Sequence, residues 1–172
     1  MVGYRRNKPE SPDAELFLTI ATRNREPLFS SSADFELVLG VMQRTRERFN
    51  LKIMAWAILP DHIHLLIVPG DADYSKVVYS FKKGVGGEFK KIGYISKGDK
   101  IWQDRFWEHT VKDDKDHLRC VEYIHYNPVK HSMVSAPREW EYSSFHKYVE
   151  RGIYLEDWGD GDQVMVKGAE FD

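Results

Sequence analysis

The sequence predicts an α+β fold, a ferredoxin-like (split βαβ) antiparallel sheet with helices on one face and an additional C-terminal helix. Three observations predict it. Two apolar runs, residues 53–59 and 62–68, are separated only by Pro60-Asp61, which reads as adjacent strands joined by a tight turn. Segments with apolar residues at helical spacing flank that pair on both sides. Aromatic and branched runs near residues 15–21 and 101–111 supply outer strands, giving the order β-α-β-β-α-β-α.

The first strand is ELFLTIA (15–21), stopped by the polar run Thr22-Arg23-Asn24-Arg25. A helix follows. Ser30 to Ser32 offer N-caps, and Phe35, Val38, Met42, Thr45 and Phe49 recur on one face, leaving Arg44, Arg46 and Arg48 toward solvent. The second helix is expected over residues 74–92, with Val78, Phe81, Val85, Phe89 and Ile92 as its apolar stripe. Gly84, Gly86 and Gly87 oppose it at roughly 1 kcal/mol each relative to alanine, so a bend is expected there. IWQDRFWEHTV (101–111) reads as the fourth strand. Asp113 or Asp114 then caps a third helix, buried through Leu118, Val121 and Ile124 and ended by Pro128.

Length and composition narrow the function classes. The chain has 172 residues, 42% hydrophobic and 13% aromatic, enough for one core, and residues 1–158 are expected to form a single domain. Residues 159–172 read as an acidic tail. No apolar stretch reaches the roughly 20 residues of a membrane span, and the N-terminus lacks the apolar core of a secretion signal, so no membrane association and a cytoplasmic location are expected. The lone Cys120 excludes an internal disulfide and any multi-cysteine zinc site. The net charge of −2 conceals an asymmetry: residues 1–155 hold 24 bases and 21 acids, a net of +3, compatible with phosphate contacts.

His62 and His64 carry the first chemical signal. One residue apart on a strand, they leave the same face about 6.6 Å apart at the backbone, while Ile63, Leu65 and Ile67 point into the core. Such a pair can grip one metal ion, although strand histidines also occur as half-exposed surface residues. On the third helix, Tyr123 and Asn127 stand four apart and project from one side. If that helix packs across the histidine strand, Asn127 can complete a three-ligand site with Tyr123 beside it. The alternative is that Tyr123 and Tyr126 only cover the core with their rings.

Four stretches then occur in one order: LPDHIHLLIVP (59–69), IWQDRFWEHTV (101–111), YIHYNPVK (123–130) and EWEYSSFHKYVERGIY (139–154). Together they resemble the REP-associated tyrosine transposases, single-tyrosine HUH enzymes related to the single-strand insertion-sequence transposases, over residues 15–158. The resemblance implies that His62, His64 and Asn127 bind the metal and that Tyr123, on the C-terminal helix, is the nucleophile. Tyr126 ranks below it, and His109, His117, His125 and His131 read as structural or surface histidines.

The activity so implied is nicking and rejoining of single-stranded DNA at repetitive extragenic palindrome hairpins, through a 5′-phosphotyrosine that stores the broken bond. Histidine ligation alone favours zinc or manganese over magnesium, whereas the family implies Mg²⁺ or Mn²⁺. Candidate DNA contacts are Arg5, Arg6, Arg23, Arg25, Lys82, Lys83 and Lys90, each also readable as a solvated charge. The partner is single-stranded or hairpin DNA, and the chain fits a monomer or a homodimer equally. Competing readings are a hairpin-binding regulator without nuclease activity and a small metal-dependent hydrolase using the two histidines with Asp61 or Glu108.

Overall fold

A computed structural model describes residues 11–161. Four strands, β1 (Leu16–Ala21), β2 (Lys52–Ile58), β3 (His62–Val68) and β4 (Trp107–Thr110), form one sheet in the order β2-β3-β1-β4 with every pairing antiparallel. Between them run α1 (Ser32–Phe49) and α2 (Tyr74–Lys91), followed by α3 (Asp114–Lys130) and the short α4 (Phe145–Glu150). The expected α+β antiparallel architecture is the one observed.

Strand alternation divides the core into two layers. Leu16, Leu18 and Ile20 of β1, with Ile63, Leu65 and Ile67 of β3, pack against Phe35, Val38 and Met42 of α1 and Val78, Phe81, Val85 and Phe89 of α2. Phe17, Ala55, Ala57 and Leu66 face the other way, against Cys120, Val121, Tyr123 and Ile124 of α3 and Tyr148 of α4. The helices α1 and α2 thus share one face, and the added helix α3 covers the opposite one.

The glycines of α2 do not interrupt it: the helix runs unbroken from Tyr74 to Lys91. Gly84 sits where α1 crosses, and a Cβ there would meet Val41 Cγ1 at 2.7 Å, so the missing side chain permits close helix contact. Helix α1 opens on a capping box formed by Ser31 and Asp34 and closes on Asn50 in the left-handed conformation, φ 52°.

Two element boundaries differ from the sequence reading. The fourth strand covers only Trp107–Thr110: residues 101–103 still pair with the end of β1 through an isolated Thr22–Trp102 bridge and the bond from Arg23 N–H to Ile101 O, but the ladder is broken over residues 104–106, and Trp102 Nε1 donates to Lys82 O at 3.1 Å. Pro128 does not end α3, which continues to Lys130; His131 N–H donates to Asn127 O and Met133 N–H to Pro128 O, closing the last turn. Losing one amide near a helix end removes a single intrahelical bond, which packing on the sheet offsets.

The turn between β2 and β3 is pinned from outside. Asp61 O accepts from Thr22 N–H at 2.8 Å and from its hydroxyl at 3.0 Å, while Pro60 O accepts from the amides of Leu28 and Phe29. This fixes where β3 begins and therefore where His62 emerges. Residues 142–144 return to the β2 edge, with Ser144 N–H donating to Trp56 O at 2.9 Å. Beyond the expected domain end, Asp160 pairs with Arg138, and the remainder of the acidic tail, residues 162–172, lies outside the described residues.

Candidate metal and nucleophile site

His62 and His64 emerge on the α3 face of the sheet and are completely buried, as is Asn127, while Tyr123 is 1% exposed. Burial of that extent excludes a surface role for the two histidines. Their rings lie 4.8 Å apart, edge to face, and the Tyr123 ring packs against His64 at 5.4 Å. Phe17 wedges against both His64 and Tyr123, fixing their spacing.

Each histidine is oriented by a neighbour. His62 Nδ1 is 2.6 Å from Asp61 Oδ1, and a carboxylate can only accept, so Nδ1 carries a proton and Nε2 is turned toward α3. Burial alone would raise the Asp61 carboxyl, but the hydrogen bond from His62 and the charges of His62 and Arg25 outweigh it and hold the group below its ordinary value. Arg25 approaches Asp61 at 3.8 Å. His64 Nδ1 is bonded to Thr19 Oγ1 at 2.9 Å, directly across the β1–β3 ladder, which turns its Nε2 away from β1.

Asn127 supplies the test of whether these residues suit a metal. Its Oδ1 lies 3.0 Å from His62 Nε2, and its Nδ2 is buried without a hydrogen-bond partner among the described residues. Rotating the amide by half a turn would let Nδ2 donate to Nε2 but would leave Oδ1 in the unpartnered position instead. In either rotation a buried polar atom remains unsatisfied, which native interiors rarely tolerate without a ligand. Two imidazoles, an amide oxygen and a carboxylate orienting one ring match the donor set and outer support of a divalent-ion site.

The structure therefore brings together His62, His64, Asn127 and Tyr123. Tyr126 lies elsewhere on α3, against the Gly159 segment. His125 is a core residue: its Nε2 is bonded to Ser144 Oγ at 2.8 Å, and burial pushes its pKa down to about 3, assisted by the charge of His146. Arg23 and Arg25 form the short turn after β1, at the same sheet end as His62. Lys82, Lys83 and Lys90 lie on α2, across the sheet from the site; Lys82 donates to Gln103 O at 2.8 Å and sits over the Phe106 ring. Arg5 and Arg6 lie outside the described residues.

Three contributors escaped the sequence reading of the site, and a fourth has another role there. Asp61, named only as an acid of the hydrolase reading, instead orients His62. Thr19 depends on strand register, which no local pattern reveals. His131, read as a surface histidine, is exposed but brings its ring to 4.9 Å from that of His62. Lys130 donates to Tyr123 Oη at 2.7 Å.

A second cluster with metal-compatible spacing lies toward the start of α3, where ligand atoms of His109, Asp116 and Cys120 fall within 4.8 Å of one another. Asp116 there accepts from His109 Nε2 at 2.6 Å and from Lys112 N–H at 3.0 Å. No helix among the described residues is long and apolar enough to cross a membrane.

An antiparallel sheet with a buried histidine pair on its central strand, faced by a helix tyrosine and amide, is the layout of a tyrosine transposase of the HUH type. The model of the family described as "Transposase IS200 like" matches residues 12–127. A REP-associated tyrosine transposase of Escherichia coli is 35% identical over 156 residues, covering 90% of this chain and 89% of the relative. A Haemophilus influenzae protein assigned to the same group is 36% identical over 177 residues, covering 98% and 99%. A solved structure of a REP-associated tyrosine transposase bound to a REP hairpin superposes with a TM-score of 0.82 at 33% identity, covering 99% of this chain and 96% of that one. The chain belongs to the IS200-like transposase family, within its REP-associated tyrosine transposases, and is an enzyme of that class.

Proposed function

We propose that the protein nicks and rejoins single-stranded DNA beside REP hairpins, with Tyr123 forming a covalent 5′-phosphotyrosine and leaving a free 3′-hydroxyl. The hairpin substrate comes from the relative solved in complex with one. One observation carries the chemical assignment: Tyr123 and Asn127, one turn apart on α3, meet His64 and His62 respectively in a water-poor pocket.

His62, His64 and Asn127 are the residues that would hold Mg²⁺ or Mn²⁺. Such an ion, when bound, supplies positive charge that offsets the charge developing on the scissile phosphate. The remaining work belongs to the chain. Asp61 and Thr19 fix the two imidazole rotations, Phe17 and His64 hold the Tyr123 ring edge-on, and burial limits competition from water. Storing the bond as a tyrosine ester makes cleavage reversible, so a second 3′-hydroxyl can be joined without ATP.

The hydrolase alternative loses one of its acids. Glu108 lies opposite Leu18 on the α1–α2 side of the sheet and accepts from Tyr74 Oη at 3.0 Å, while Asp61 is engaged by His62 Nδ1. The test incubates the protein with flanked hairpin DNA and Mn²⁺ and examines a denaturing gel. Wild type is expected to form a covalent adduct, and Tyr123→Phe to form none while retaining hairpin binding. Cleavage surviving in Tyr123→Phe would establish hydrolysis, and binding without any wild-type adduct would establish a regulator.

A further inference from the structure

We propose that Lys130 is a catalytic residue of the strand exchange, its ammonium stabilising the charge on Tyr123 Oη as the tyrosine–phosphate bond forms and breaks. The inference rests on Tyr123 being the nucleophile and assigns a role to a side chain two helical turns beyond it.

Nζ of Lys130 lies 2.7 Å from Tyr123 Oη and 4.6 Å from the centroid of its ring. An ammonium has no lone pair, so Lys130 is the donor and the phenol oxygen the acceptor. The hydroxyl proton of Tyr123 therefore points away from Lys130. Lysines in a last helical turn ordinarily extend toward the free carbonyls or into water. Lys130, itself exposed, instead reaches back along the helix to a phenol that is 1% exposed. Low local polarity strengthens that contact relative to one in water. The position over the ring adds a cation–π attraction that fixes the ammonium on one side of the oxygen.

The chemistry requires a positive group at this point in both directions. In cleavage the Oη–P bond forms and the P–O3′ bond breaks; the phenol proton passes to solvent, and the departing 3′ oxygen takes one up. In rejoining a 3′-hydroxyl attacks the phosphotyrosine and gives its proton to solvent, and Oη leaves carrying negative charge. The three metal-ligand candidates would serve the phosphate through an ion, whereas Lys130 contacts the tyrosine oxygen itself. Its hydrogen bond strengthens as Oη gains charge, which is the condition for stabilising a transition state more than the ground state.

The experiment follows single-turnover adduct formation, and rejoining from purified adduct, for wild type, Lys130→Met, Lys130→Arg and Lys130→Ala, with hairpin affinity measured in parallel. Lys130→Met is expected to slow both directions by roughly 10²-fold, the scale of removing one oxyanion donor. Its hairpin affinity should change by no more than the loss of one phosphate contact. Lys130→Arg should recover part of the rate, and added ethylammonium should accelerate Lys130→Ala but not wild type. A wild-type rate in Lys130→Met, or slowing matched by an equal affinity loss without ethylammonium rescue, overturns the inference. Absence of adduct in wild type removes the nucleophile assignment and this inference together, whereas normal adduct in wild type with an unaffected Lys130→Met removes this one alone.

Discussion

The two ends of α3 each set helix side chains against a histidine of the sheet, yet they differ in what is left over. At the N-terminal end, Asp116 accepts from His109 and from the Lys112 amide, and its own N–H donates to the Asp113 cap. Burial and the Asp116 charge push the Cys120 thiol up to about 12, so without an ion beside it the thiol stays protonated. At the C-terminal end, His62 Nε2 lies 3.0 Å from Asn127 Oδ1, and the Asn127 amide keeps an unsatisfied buried atom. The helix dipole agrees with both arrangements, favouring a carboxylate at the first end and a cation at the second. Metal-like spacing alone therefore does not distinguish the two ends; the unsatisfied buried amide of Asn127 does.

The largest effect that can break this contrast is expected at His64. His64→Ala should reduce single-turnover adduct formation on the order of 10²- to 10³-fold at fixed Mn²⁺. Retained wild-type rates would remove the C-terminal cluster from the chemistry. A smaller loss is expected from Asp61→Asn, which keeps an acceptor beside His62 but removes the charge that holds its tautomer. Mn²⁺ affinity, measured by calorimetry, should fall roughly 10- to 100-fold, the usual range for a carboxylate supporting a ligating histidine. An unchanged affinity would mean that ring orientation is set by packing alone.

Between the two ends lies His125, which sharpens the contrast because it is buried, polar and neither ligand nor cap. Its pKa is about 3 in the folded chain, against an ordinary value near 6.5. Within that window the unfolded chain binds a proton that the folded chain refuses, so stability is complete above about pH 6.5 and falls as the pH drops toward 3. The slope from this residue is at most about 1.4 kcal/mol per pH unit. His125→Gln should flatten the acid limb of a stability-versus-pH curve measured by urea unfolding. An unchanged limb would assign acid sensitivity to the carboxylates instead.

Legibility followed the range of the interactions. The period-2 placement of His62 and His64, the Pro60-Asp61 turn, and the one-turn spacing of Tyr123 and Asn127 are local, and each appeared in the sequence as it does in the fold. That α3 lies on the histidine face was available only as a condition, since periodicity marks an apolar stripe without naming the sheet face it covers. Thr19 could not be read because its meeting with His64 depends on the β1–β3 register. The shortened fourth strand and the continuation of α3 past Pro128 both show local preferences overridden, the first where Trp102 turns its indole N–H to Lys82 O and the second where packing on the sheet offsets the one bond that proline removes. The Lys130 contact spans two helical turns and bends back along the helix, beyond the one-turn neighbours that helical spacing normally addresses.

The smallest expected effect tests the other half of the contrast. Asp116→Asn preserves an acceptor for the Lys112 amide and sacrifices the charge-assisted bond to His109. Although burial alone would raise the Asp116 carboxyl, the bonds from His109 and Lys112, with the charges of His109 and Arg119, hold it below its ordinary value. The native group thus contributes stability that is present near neutral pH and lost as the pH falls through its lowered value. Losing one such hydrogen bond should cost about 1–2 kcal/mol in urea unfolding at pH 7. The Mn²⁺ dependence of adduct formation should stay at wild type, since the cluster already uses its polar atoms to close the first turn of α3. A variant that folds normally but shifts the Mn²⁺ dependence would instead make this end of the helix the ion site, and reverse the assignment of the two clusters.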